Sequence, residues 1–317
     1  MYTNSTHRQF WVFESVEEVE AHRAKANDAF IERYRQVLSS PEQEKGFLTP
    51  AEEALLCRIV MNTGVRFGDD FRPVLWPSIR WIAFTYFKRF YLYQSAMEYY
   101  PKNVMMACYY LATKIDEFNI SIDNFVSNLR NGNREANVET IIALEPVLVA
   151  KLKYHLTVHC PFRPLEGHFI VMKTRCQLKF DLENIRPTCS DFLKKALFSD
   201  IMLYYAPSQI ALAALQYGLH EAGINIEMIR KYLRIIMEID TIAPDVEAVL
   251  NVERVELQLN NIIKSVLKAN EEPLKEGESA ALQTKMQNLM QLQTNLDGKI
   301  SRASNEASET FDSDDDF

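Results

Sequence analysis

Residues 102–118, KNVMMACYYLATKIDEF, decide the fold. On a helical wheel Val104, Ala107, Cys108, Leu111 and Ile115 form one apolar stripe, and Met105, Met106, Tyr110 and Ala112 cover much of the opposite side. A helix apolar almost all round belongs at the centre of a helical domain rather than on its surface. Its last turn nonetheless presents Lys114, Asp116 and Glu117. The buried helix therefore delivers charge at one end.

The same logic extends outward. Pro77–Tyr93 places Ile79, Ile82, Ala83, Tyr86, Phe87 and Phe90 at helical spacing. Thr49-Pro-Ala-Glu52 is a capping box with proline at the first helical position, opening a helix to about Phe67. A short helix near Asp123–Leu129 and a long one over Val138–Leu156 bring the set to five. Beyond the breaker-rich joint HCPFRP (159–164), helical patterns cover Leu165–Lys173, Thr188–Tyr205, Ser208–Ala222, Ile226–Met237 and Pro244–Lys268. Pro207 with SQIALAALQYGLHEAG mirrors Pro101 with its helix. Ala107, Cys108 and Ala112 match Ala213, Ala214 and Gly218 as small residues that let neighbouring helices approach. A repeat of about 100 residues is too long for a solenoid unit and fits two duplicated five-helix domains.

Ser15-Val-Glu-Glu18 is a further capping box, predicting an outer, mostly charged helix to about Leu38, with a linker over Ser39–Gly46. Ala280–Leu296 carries Leu282, Met286, Leu289, Met290 and Gln293 at helical spacing, and disorder is expected past Asp297. The predicted organisation is all-α: residues 1–48 an N-terminal segment and helix, 49–160 and 161–268 the two helical domains, and 269–317 a C-terminal segment with a candidate helix and an acidic disordered tail.

Composition bounds the function. Hydrophobic residues are 47% and charged residues 25% of 317, enough for a substantial core. The net charge is −8, but Glu306, Glu309, Asp312, Asp314, Asp315 and Asp316 follow the last basic residue, Arg302, and supply −6 of it. The remainder is close to neutral, which argues against direct nucleic-acid binding. Five cysteines without a CxxC pair suggest neither a disulfide framework nor a zinc site, so a reducing compartment is expected. MYTNSTHRQF lacks an apolar signal core, and no apolar run reaches membrane-spanning length, so a soluble intracellular protein without a membrane partner is expected. No glycine-rich phosphate loop, HExxH or nucleophile elbow occurs, and the chain is not read as an enzyme. His155, His159 and Cys160 straddle a helix end without a second ligand cluster and make a poor metal site.

One charge interrupts an apolar pattern. The wheel of Val138–Leu156 sets Val138, Ile141, Ile142, Val149, Leu152 and Leu156 on one face, with Glu145 in its middle. A buried carboxylate needs a partner, and Lys114 is an available counter-charge. The competing reading is a structural ion pair or a glutamate reaching solvent at the rim. Pro146 predicts a kink or a new helix start. Tyr154 lies off the stripe as a candidate exposed aromatic anchor.

FTYFKRFYL (84–92), LATKIDEF (111–118), YHLTVHCPFRPLEG (154–167) closing the Glu145 helix, and YAPSQIALAAL (205–215) together resemble the cyclin family, most closely its cyclin H branch. MYTNST with Trp11 and Phe13 adds to the likeness, which spans roughly residues 77–215. The resemblance implies two tandem cyclin boxes flanked by terminal helices. It implies a nuclear regulatory subunit of the kinase in the CDK-activating complex, with a RING-finger assembly subunit as a second partner. That complex phosphorylates cell-cycle kinases and, joined to the TFIIH core, the RNA polymerase II C-terminal repeats. Lys114 and Glu145 correspond to the family's Lys–Glu pair, and Ile115, Val149 and Tyr154 to positions that touch the kinase. No catalytic residue, metal or cofactor is implied. Pro146 departs from the family pattern, and AEEALLCRIVMN (51–62) lacks the substrate-docking motif of mitotic cyclins. Ser313, followed by Asp314, Asp315 and Asp316, resembles a site for an acidophilic kinase, a passive tail serine being the alternative. Competing readings are another transcriptional cyclin such as cyclin C, a TFIIB-like cyclin-box transcription factor, and a helical scaffold without a kinase. The second of these lacks here the zinc ribbon and basic surface it requires.

Overall fold

The structure, a computed structural model, describes residues 2–35, 38, 43, 45–225, 227–239, 246–271 and 277–311. These residues form thirteen α-helices and no strand. The N-terminal segment contributes α1 (Thr6–Phe10) and α2 (Val16–Arg35). A first bundle follows: α3 (Pro50–Asp70), α4 (Pro77–Phe90), α5 (Pro101–Ile115), α6 (Ile122–Val126) and α7 (Arg134–Lys151). The second comprises α8 (Phe162–Arg175), α9 (Arg186–Ala196), α10 (Pro207–Glu221), α11 (Glu227–Ile236) and α12 (Val246–Glu271), and α13 (Glu278–Phe311) closes the chain.

The caps are those predicted. Thr49 Oγ1 accepts from the Glu52 amide at 3.3 Å while Glu52 Oε2 accepts from the Thr49 amide at 2.8 Å, and proline opens α3, α4, α5 and α10. Along α5 every residue from Val104 to Tyr109 is buried, as are Leu111–Thr113. In α10 burial is continuous from Ile210 to Gln216. Each bundle is thus wrapped around its third helix, whose small residues admit close neighbours. At Gly218 a Cβ would stand 2.7 Å from Cys189 Sγ of α9, so this crossing requires glycine.

The outer elements dock at defined points. In α2, Val19, Asn27 and Phe30 are buried, and Asn27 Nδ2 donates to the Leu48 carbonyl at 2.8 Å. Trp11 is buried and donates to His155 Nδ1 at 3.2 Å, beneath the Arg89 guanidinium 5.0 Å from its ring. His7, also buried, accepts from the His159 amide at 3.1 Å. Burial, aided by the charge of Arg89, pushes His7 down to about 3, so its imidazole is neutral in the fold. The two bundles and α2 meet at Asp200, which takes Arg23 at 2.7 Å and the almost fully buried Lys88 at 3.0 Å. Burial alone would raise this carboxyl, but Lys88 and Arg23 outweigh it and hold it well below the usual carboxylate range.

One expectation changes and another is filled in. The predicted Thr188–Tyr205 helix divides into α9 and a short 3-10 turn over Ile201–Leu203, because Asp200 leaves the helix to reach Lys88. The C-terminal pattern forms α13 against the first bundle, burying Leu282, Met286, Leu289 and Leu296 and pairing Lys285 with Glu52 at 2.8 Å. This helix spans Glu278–Phe311. Ser313 and most of the Ser39–Gly46 linker lie outside the described residues.

Candidate functional site

The end of α5 and the outer face of α7 form one surface. Lys114 Nζ pairs with Glu145 Oε1, and the same ammonium lies 4.7 Å from the Tyr110 ring centroid. The lysine side chain is 45% exposed and the carboxylate side chain 21%, so the pair is reachable from solvent. Helix α5 ends one turn on: Glu117 adopts φ 57°, and the Phe118 amide reaches back to the Thr113 carbonyl at 2.8 Å. Ser78 Oγ donates to Asp116 Oδ2 at 2.5 Å, tying this end to the start of α4.

Glu145 does not sit in the middle of a buried face, which corrects the wheel. The buried stripe of α7 is Ile141, Leu148 and Leu152, while Ile142 is 56% exposed and Val138 and Val149 are half-buried. Asn137, Ile141, Leu144 and Leu148 make one stripe at the spacing i, i+4, i+7, i+11, and a second of the same spacing runs beside it. Ile141 belongs to the core stripe. Val138, Ile142, Glu145 and Val149 form the adjoining one, turned toward the rim. The reading that merged them assigned Ile142 to the core and so missed an exposed apolar residue beside Glu145. The neglected signal was Leu148, which completes the true core stripe.

Pro146 neither breaks nor restarts α7, which is continuous from Arg134 to Lys151 under the cap of Asn133 Oδ1 on the Glu135 amide at 2.8 Å. Its ring is exposed. The helix stops before the predicted Leu156 because Lys153 and Tyr154 take left-handed backbone, φ 56° and 60°. The Tyr154 amide then closes on the Val149 carbonyl at 3.0 Å. Non-glycine residues pay for this conformation with strain on the order of 1 kcal/mol each. The turn throws the Tyr154 ring outward, 74% exposed.

Lys114, Ile115 (39% exposed), Glu145, Val149 and Tyr154 thus all lie on α5, α7 or the exit from α7, and Ile142 joins them. His155 and His159 are engaged by the N-terminal segment, and among the described residues no group of three His, Cys, Asp or Glu side chains is placed to hold a metal.

Comparison with known proteins agrees with this architecture. The model of the cyclin N-terminal domain matches residues 74–157, and that of the cyclin C-terminal domain residues 160–291. Cyclin-H of Xenopus laevis is 38% identical over 229 residues, 72% of this chain and 71% of that protein. Cyclin mcs2 of Schizosaccharomyces pombe is 32% identical, over 68% of this chain and 69% of its own length. Among solved structures, a chain of the CAK complex of Chaetomium thermophilum superposes with a TM-score of 0.75 at 24% identity, covering 100% of this chain and 98% of that one. A chain of the yeast TFIIK (Kin28/Ccl1/Tfb3) complex gives 0.63 at 22%, covering 83% and 100%. The two bundles are cyclin boxes, and the chain belongs to the cyclin family, on its cyclin H branch.

Proposed function

We propose that this chain is the regulatory cyclin of a CDK-activating kinase, and that Lys114, Ile115, Glu145, Val149 and Tyr154 form its kinase-binding surface. The observation that carries the reading is the Lys114–Glu145 pair, solvent-reachable and flanked by the exposed apolar side chains of Ile115, Ile142 and Tyr154. Cyclin-H relatives and the likeness to chains of the CAK and TFIIK complexes support it. The inferred partners are a cyclin-dependent kinase catalytic subunit, a RING-finger assembly subunit and, through these, the TFIIH core, in the nucleus. Cell-cycle kinases and the RNA polymerase II C-terminal repeats are the inferred substrates of the assembled complex.

The mechanism follows from what a kinase lacks on its own. Catalysis requires the αC glutamate to pair with the β3 lysine, and the position of αC decides whether it does. A surface held on α5 and α7 offers αC an apolar seat and, through the ammonium and carboxylate, hydrogen-bond partners for exposed main-chain groups. Binding the inward state more tightly shifts the kinase toward it. The cyclin then contributes no reacting group.

Co-expression of the kinase subunit with wild-type chain, Lys114→Ala and Glu145→Ala tests this. We expect both variants to lose about thirtyfold or more in kinase activation, the size of truncating one member of a buried interfacial charge pair. Full activity with normal co-purification would overturn the assignment of the surface.

A further inference from the structure

The second cyclin box contains a cavity that the kinase-facing surface does not use. It measures about 330 Å³ and lies between the end of α10, the start of α11 and one face of α12. Leu219, Ile224, Ile229, Ile263 and Leu267 supply apolar walls, and Gln216 and Asn260 add two amides. Its place in the fold is informative. Lys114 stands 13 residues after the proline that opens α5, and His220 stands 13 after the proline that opens α10. By the same count Gln216 takes the place of Tyr110. Where the first box packs Tyr110 against Phe125, 5.3 Å between centroids, and sets an ion pair above it, the second box leaves a hollow.

That hollow has an unmet valence. Gln216 is 7% exposed, and its Nε2 donates to Asn260 Oδ1 at 2.8 Å, but its Oε1 has no hydrogen-bond partner. Leaving a buried amide oxygen unsatisfied is unfavourable, because its hydration is lost without replacement. A side-chain amide pair can be turned either way round, so the open position serves a donor or an acceptor. A peptide group carries both, whereas a purely apolar ligand would leave the position unmet. At the mouth, Lys264 is exposed and makes no ion pair among the described residues, while His220 and Glu221 contact each other at 3.4 Å. The cation at the mouth without an ion-pair partner among the described residues is therefore Lys264. The volume lies at the lower end of the roughly 300–1,000 Å³ of ligand sites, enough for one or two aliphatic side chains rather than a cofactor.

We propose that this cavity docks a short segment of a partner protein. A main-chain amide of the segment pairs with Gln216 and Asn260, an aliphatic side chain fills the cavity, and an acidic side chain reaches Lys264. The site lies in the other cyclin box from the kinase-facing surface and does not depend on that reading.

The test selects a phage-displayed library of random dodecapeptides on the full chain. Enriched peptides are then synthesised, and their affinities for wild type, Gln216→Leu and Lys264→Glu are measured by fluorescence anisotropy. The expected peptides join an aliphatic to an acidic residue. They should bind Gln216→Leu about tenfold more weakly, the equivalent of one lost hydrogen bond to a buried amide. Lys264→Glu, an exposed substitution that tests the site even if Gln216→Leu fails to fold, should weaken them further or turn selection toward basic peptides. Three results overturn the proposal: no enrichment, peptides that bind both variants as they bind wild type, or self-association that Lys264→Glu abolishes, which would give the cavity to a second copy of the chain.

Discussion

Helices α5 and α10 share a design and part company in their last turn. Both open on proline, both are buried along their middle, and both pack against three helices of their own box. At the end, α5 presents Lys114 to Glu145 and leaves Ile115 exposed, while α10 presents His220 and Glu221 beside a cavity. Burial fixes the residue types along the shared length. Only the last turn, where packing no longer dictates the side chain, is free to diverge. A duplicated scaffold can thereby carry two different surfaces.

The comparison is broken most directly by separating the boxes. Asp200 belongs to the second box and holds Lys88 of the first, only 4% exposed, together with Arg23 of α2. Asp200→Ala leaves that ammonium buried and unpaired and is expected to cost about 3–5 kcal/mol in urea unfolding. The double variant Lys88→Met/Asp200→Leu should recover much of the loss. Because the folded carboxyl is held below its ordinary value, its contribution is complete above the ordinary aspartate pKa and disappears as pH falls through and below it.

A smaller test concerns the small residues of the third helices. Gly218 has no room for a methyl group against Cys189 Sγ, whereas Ala112, its counterpart by count from the opening proline, already carries one. Gly218→Ala should destabilise by about 1–3 kcal/mol through overpacking, relieved when Cys189→Ala is added. Thermal melts of the single and double variants decide it.

The N-terminal clasp gives a more local effect. Burial keeps His7 neutral in the fold, with a value of about 3, against an ordinary value near 6.5 when unfolded. The released segment takes up the proton that the docked one refuses, so docking weakens as pH falls from about 6.5 toward 3. Arg89, His155 and His159 face the same cluster, and burial lowers both histidines as well. Trp11 fluorescence should report release in that window, with a shallower profile in His7→Gln.

The smallest expected change in stability is at the site itself. Lys114→Ala and Glu145→Ala remove a pair that is partly exposed, for which about 0–1 kcal/mol is the ordinary range. Near-normal melting with lost kinase activation would separate function from fold in the first box. A large drop in melting temperature would instead make the pair structural, like Asp200.

Much of this architecture was legible because it is local. Capping boxes, opening prolines and the two small-residue helices all lie within a few turns of chain, and the Lys114–Glu145 pairing was suggested by a carboxylate interrupting an apolar face, a lysine at the end of a buried helix and the family resemblance. What sequence reasoning missed is non-local or ambiguous in angle. Asp200 and Lys88 are 112 residues apart, and nothing near either marks the other. Asn27, polar yet buried, carries no local signal of its burial because its partner, the Leu48 carbonyl, comes from another segment. The face of α7 was misassigned because two stripes of equal spacing differ only in orientation, which packing alone resolves. The end of α7 was placed late because no glycine marks it.

That missing glycine has a consequence for anyone redesigning this protein. A stability-driven sequence search would put glycine at positions 153 and 154, where the backbone is left-handed, and would gain stability by relieving that strain. It would also delete the outward tyrosine ring. The exit from α7 is therefore a place where, on the proposed kinase-binding surface, thermostable variants and active variants should part, and libraries ranked by melting temperature alone would discard an exposed aromatic ring.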